Sequence, residues 1–297
     1  MGPMLDRLKG GEVLVADGAM GTLLLDKGLQ VGECPEALNH SKPEILKDIA
    51  LRYLQAGADI VQTNTFGGSP MKLKEYGLED KTEEINQRAA SLVREIVNDR
   101  AYVSGSCGPS GRILVPYGDT EPEVLYSGFE RQIRSLVEAG VDVVCIETMT
   151  DLREAVLAVQ AAKAVSARTT VMATMTFDET PRGFYTIMGV SVAEAAAGLQ
   201  EAGADVIGSN CGNGIENMVR IAREFKKGSS LPVIIQSNAG KPEIKDGRPY
   251  YPEPPALFAE KARELTAAGV SIIGGCCGTT GEHIRAIREV VDSRRGR

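Results

Sequence analysis

Hydrophobic residues along the chain cluster in short β-branched runs, separated by longer stretches in which apolar positions recur at intervals of three and four. Four segments that contain such a run are near copies of one another: QAGADIVQTNTF (55–66), EAGVDVVCIETM (138–149), EAGADVIGSNC (201–211) and AAGVSIIGGCC (267–277). In each, an amphipathic stretch ends on a glycine (Gly57, Gly140, Gly203, Gly269), the residue that accepts the left-handed conformation past a helix terminus. A strand-like run follows at once, so the repeat is an αβ unit. Four further runs lie in the gaps, EVLVADGAMG (12–21), AYVSGSCGP (101–109), TTVMATMTF (169–177) and LPVIIQSNAG (231–240), and together they predict eight strands. EILKDIALRYLQ (44–55) and DLREAVLAVQAAKAV (151–165) read as amphipathic helices between them. Alternating strands and helices imply a parallel sheet. Eight units over 297 residues predict an α/β fold, a closed (β/α)8 TIM barrel with residues 1–297 as a single domain. A doubly wound open sheet is the alternative; it would usually carry a GxGxxG turn after its first strand, and DGAMGT is not one.

Charge and composition narrow the partners. The formal net charge is -7 with no basic block, so a polyanion meets no concentrated positive field and nucleic acid is not an expected partner. No run approaches the roughly 18 apolar residues of a membrane span. The N-terminal stretch has no signal-peptide core, and Asp6 stands where a myristoylation motif needs Ser or Thr. The expectation is a soluble cytoplasmic protein whose cysteines, at 34, 107, 145, 211, 276 and 277, are reduced.

In a barrel of this kind the reacting groups sit where strands run into βα loops. Those positions hold Asp17, Asn64, Cys107, Glu147, Thr176, Cys211, Asn238 and the adjacent pair Cys276 and Cys277. Cys211 follows strand six and the pair follows strand eight, so the three sulfurs meet only if the barrel closes. Soft sulfur ligands select zinc, and three protein ligands leave a fourth tetrahedral position for substrate. Gly274, Gly275 and Gly278 supply the backbone freedom that adjacent ligands need. The competing reading treats buried free cysteines as small hydrophobes, the expected role of Cys34, Cys107 and Cys145. Asp17 and Glu147 suit a primary ammonium group, although strand-end carboxylates also cap helices. The DGAMGT turn, with Gly18 and Ala19, offers N–H groups to a carboxylate. Thr279 and Glu282 fit a capping box for the last helix, which places His283 on an exposed first turn; His40 belongs to a loop.

These residues resemble the homocysteine S-methyltransferase family. The resemblance spans nearly the whole chain: DGAMGT, TNTF after strand two, ETM after strand four, SNCG after strand six and GGCCGTT after strand eight. FDETPRGFYTIMGVS (177–191) and SNAGKP (237–242) resemble the homocysteine-binding domain of the cobalamin-dependent methionine synthases within that family. The resemblance implies Zn2+ held by Cys211, Cys276 and Cys277, the homocysteine amino group held by Asp17 and Glu147, and Asn64 shaping the substrate pocket. It also implies that Asn238 takes the zinc's open position before substrate arrives. Homocysteine would then bind as a zinc thiolate, releasing a proton without a general base, and take a methyl group to give methionine. The sequence has no stretch for a folate or corrinoid module. A methylcobalamin donor would be free or carried on a separate corrinoid protein, unless the chain is one domain of a longer protein. The absence of tryptophan argues against a quaternary ammonium donor; S-methylmethionine and S-adenosylmethionine remain as alternatives. So do demethylation toward a corrinoid protein and a non-catalytic homocysteine- or zinc-binding subunit.

Overall fold

The computed structural model describes residues 2–245 and 248–295. The eight sequence-predicted runs form parallel strands: β1 (Leu14–Val15), β2 (Ile60–Gln62), β3 (Tyr102–Cys107), β4 (Val143–Met149), β5 (Thr170–Met175), β6 (Val206–Asn210), β7 (Val233–Ser237) and β8 (Ile272–Gly275). They pair in the order β1-β8-β7-β6-β5-β4-β3-β2, and a parallel bridge between Ala16 and Ile60 joins the two ends into a barrel. A helix of ten residues or more follows each strand: α1 (Pro43–Gln55), α2 (Thr82–Val97), α3 (Pro122–Glu138), α4 (Leu152–Val165), α5 (Val192–Glu201), α6 (Ile215–Gly228), α7 (Pro255–Ala267) and α8 (Gly281–Arg295), with shorter helical turns before α1 and α2.

Local chemistry accounts for the boundaries. Proline opens α1, α3 and α7, where its missing N–H costs nothing. The Asp151 side chain caps α4, and Ser191 with Glu194 forms a capping box at α5. The four repeat glycines follow α1, α3, α5 and α7 with φ between 81° and 98°, as the repeat predicts.

Along each strand, alternate residues face the helices or the barrel interior. Val15, Val144, Val171, Ile207, Ile235 and Ile273 pack outward with the helices into one large apolar cluster. Inside, the lower barrel holds Leu14, Ile60, Val143, Val206, Ile234 and Ile272, closed from below by Met4 and Leu8 of the N-terminal helix Met4–Lys9. Two residues further along the same inward rows, the chemistry changes: Gln62 lies above Ile60, and Gln236 above Ile234. Ser106, Glu147, Thr174 and Asn210 occupy the same upper level. An apolar plug below and polar residues above place the chemistry at the C-terminal mouth.

Gly208 is the tightest point of the wall, because a Cβ there would stand 1.8 Å from the Ile234 carbonyl oxygen. Gly208→Ala is therefore expected to destabilise the barrel by about 3 kcal/mol, read as a fall in the urea midpoint. Two antiparallel hairpins, 178–180 with 183–185 and 243–245 with 248–250, rise from the loops after β5 and β7.

Candidate functional site

A cavity of about 260 Å3 opens at the mouth, lined by residues from seven of the eight strand ends that include Gly18, Ala19, Asn64, Glu147, Cys211, Cys276 and Cys277. The three sulfurs lie within 4.8 Å of one another, with Cys211 Sγ and Cys277 Sγ 3.9 Å apart. Tetrahedral zinc at about 2.3 Å from each sulfur requires sulfurs about 3.8 Å apart, so the trio fits the ion. Backbone bonds to β7 set this spacing: Cys211 N donates to the Gln236 oxygen (3.1 Å) and Cys276 N to the Ser237 oxygen (2.7 Å). Cys211 itself sits at φ 61°, a conformation that costs a non-glycine residue about 1–2 kcal/mol and turns its side chain into the mouth.

The sulfurs share charge unevenly. Hydrogen bonds from Cys276 and then Cys277 lower the Cys211 pKa to about 3, while hydrogen bonding with Cys211 raises Cys276 well above its ordinary value and Cys277 to about 11. Ionisation of all three together requires a cation between them. Asn238 stands beside Cys211 and hydrogen-bonds to it, and its Oδ1 is buried without a partner.

Neither carboxylate caps a helix. Asp17 Oδ2 accepts from Gln62 N (2.8 Å), whereas its Oδ1 is buried with no partner. Desolvation raises Asp17 to about 8, and Glu147 adds like-charge repulsion. Asp17 lies beneath the cavity wall; Glu147 forms part of it. Glu147 continues the inward row of Val143 and Cys145, and β4 bulges between Ile146 and Met149, turning Met149 outward into the apolar cluster. Ser106 donates to Glu147 Oε1, and burial raises this carboxyl to about 7. Both groups are starved of positive charge, and a buried ammonium would supply it.

Asn64 both lines the cavity and braces its rim, with Nδ2 donating to the Pro35 oxygen at 2.7 Å. Ala19 lines the cavity, but its N–H already donates to Thr279 Oγ1 (3.2 Å), which leaves a substrate carboxylate to the other N–H groups of the turn.

Cys107 is buried in the outward apolar cluster, the small-hydrophobe role expected of it, and its neighbour Ser106 faces the cavity. Other sequence expectations change. His283 is buried rather than exposed: α8 begins one residue later than a Thr279 cap requires, so Thr280 N donates to His283 Nδ1 (3.1 Å). Thr279 is released to brace the site, donating to the Cys276 oxygen at 2.7 Å. Gln62 and Gln236 join the site beyond the sequence-predicted residues: both line the cavity, with Gln62 Nε2 and Gln236 Oε1 buried and unpartnered. A polar residue interrupting an apolar run at an inward position is the signal that finds them.

The sequence matches the homocysteine S-methyltransferase family over residues 14–291. The methionine synthase of Mycobacterium leprae is 34% identical over 296 residues, and that of Mycobacterium tuberculosis 32%; each alignment covers 94% of this chain and 24% of the relative. The chain thus spans about a quarter of the length of these relatives. Among solved structures, the metallated form of the homocysteine methyltransferase MmuM from Escherichia coli superposes with a TM-score of 0.80 at 22% identity, covering 97% of this chain and 99% of that one. That likeness carries the fold; the match over residues 14–291 carries the family, and this chain belongs to the homocysteine S-methyltransferases.

Proposed function

We propose that this barrel binds homocysteine at a zinc site formed by Cys211, Cys276 and Cys277 and methylates it to methionine, with a methylated corrinoid, free or carried by a separate protein, as donor. The observation that carries the reading is the convergence on one cavity of three sulfurs and the cation-starved carboxylate of Glu147, with a second such carboxylate, Asp17, buried behind its wall. Zinc bound there would lower the pKa of a thiol presented at its open position, giving a thiolate at neutral pH.

The chain's own residues supply orientation. Glu147 and Asp17 receive the substrate ammonium, the turn beginning at Gly18 receives its carboxylate, and Asn238 withdraws as the sulfur arrives. Met20, Leu24, Pro35 and Phe66 give the cavity an apolar wall that limits water around the sulfur. The new S–CH3 bond forms as the donor–methyl bond breaks, and its electron pair leaves with the donor. Reduced thiolates suit a reducing compartment, the cytoplasm, and among the described residues no helix is long and apolar enough to cross a membrane.

Zinc X-ray absorption with and without homocysteine tests the nucleophile: three sulfur neighbours should become four, with one proton released. Three in both states would rule homocysteine out as the activated thiol. Turnover with methylcobalamin, S-methylmethionine and S-adenosylmethionine then identifies the donor. No methionine from any of them would leave a binding subunit.

A further inference from the structure

Asn210, the last residue of β6, stands immediately before Cys211 and is fully buried. Its carboxamide reaches both halves of the cavity. Oδ1 accepts from Thr148 N (2.8 Å) and Thr174 Oγ1 (2.7 Å), which orients the group so that Nδ2 must point the other way. Nδ2 donates one hydrogen to Thr148 Oγ1 (2.8 Å) and turns the other toward Glu147 Oε2 (3.4 Å) and Cys276 Sγ (3.9 Å), which share it.

Thr148 is held at φ 62°, and Asn210 grips it by both its N–H and its hydroxyl. That conformation sits in the β4 bulge, directly after Glu147. One side chain therefore touches the carboxylate, the bulge beside it, and a sulfur of the trio. Asparagine suits the position because it presents a fixed acceptor and a fixed donor together. A carboxylate there would repel both Glu147 and Cys276.

We propose that Asn210 is a positioning residue that sets the span between the ammonium-binding carboxylate and the metal-binding sulfurs, and so makes the site selective for a thiol that carries an amino group at the homocysteine distance. The inference rests on the reading of Glu147 and Cys276 given under Proposed function. It requires no contact between Asn210 and the substrate.

The test compares the zinc-loaded protein's affinity for homocysteine and for 4-mercaptobutyrate, the same chain without the amino group, by calorimetry. Wild type should prefer homocysteine. Asn210→Ala should weaken homocysteine on the order of tenfold, the scale of outer-shell effects at metal sites, and change 4-mercaptobutyrate less than twofold. Should Asn210→Ala fail to fold, Thr174→Val, which removes one of the two donors orienting the amide, should reduce the preference in the same direction by about twofold to threefold. An equal loss for both thiols, or an unchanged preference in a folded variant, overturns the assignment while leaving the ammonium reading intact. If wild type itself shows no preference, the ammonium reading fails and this inference fails with it.

Discussion

Cys277→Ala is expected to strip the protein of zinc during dialysis and to reduce homocysteine methylation by a factor on the order of 1,000 or more. With one sulfur gone, two ligands remain for an ion that takes four. A free thiol with a pKa of about 8.5 is only a few per cent ionised at pH 7, and an unligated thiol also loses its orientation. The barrel should survive the change. Cys211, Cys276 and Cys277 are all partly exposed at the rim, outside the apolar clusters that hold the strands and helices together. The melting temperature should therefore move by only a few degrees, in contrast to Gly208→Ala, whose effect falls in the wall itself. Metal content, initial rate at saturating donor and a thermal melt check all three statements together. Zinc retained after dialysis with turnover within threefold of wild type would remove Cys277 from the site.

The second large effect belongs to the carboxylates. Glu147→Gln is expected to raise the KM for homocysteine on the order of 100-fold, because it leaves a buried ammonium facing a neutral amide. The pH dependence follows from burial. Desolvation holds Asp17 at about 8 and Glu147 at about 7, both above the ordinary carboxyl range. Below pH 7 an incoming ammonium meets neutral acids, so affinity should rise with pH through 7 to 8, by up to about tenfold per unit for each group that must ionise. The thiol's own proton adds to this rise, and 4-mercaptobutyrate isolates that contribution. The difference between the two profiles reports the carboxylates. Parallel profiles from pH 6 to 8.5 would show that neither acid meets the amino group.

The same shifts have a sign for stability. A carboxyl whose folded pKa lies above its unfolded value of about 4 holds a proton that the unfolded chain has released, so the folded state loses stability as pH rises toward 7 and 8. Asp17→Asn removes that penalty. It should raise the melting temperature of the ligand-free protein at pH 8 while weakening homocysteine binding. Binding and stability pull in opposite directions at this residue because its charge is useful only when an ammonium is present.

Legibility differed between the frame and the site. Hydrophobic spacing and the four αβ repeats sufficed to predict a barrel, because strand and helix periodicity and glycine-terminated helices are local properties. The frame in turn made the cysteines readable: once strands six and eight lie in one parallel barrel, their ends share a rim, and Cys211 meets Cys276 and Cys277. Residues whose role depends on a single register step were not legible. Ser106 and Cys107 are neighbours, and only the tilt and pairing of β3 decide which faces the cavity. A one-residue difference in the start of α8 buried His283 and freed Thr279. The pairing of Asn210 with Glu147, Thr148 and Cys276 joins three strand ends across the mouth. What the sequence determined by itself was therefore the barrel and the chemical types on its rim, which follow from local periodicity and strand order. The tertiary structure alone decided which atoms meet, because side-chain direction inverts with each residue and is fixed only when the closed sheet sets the register.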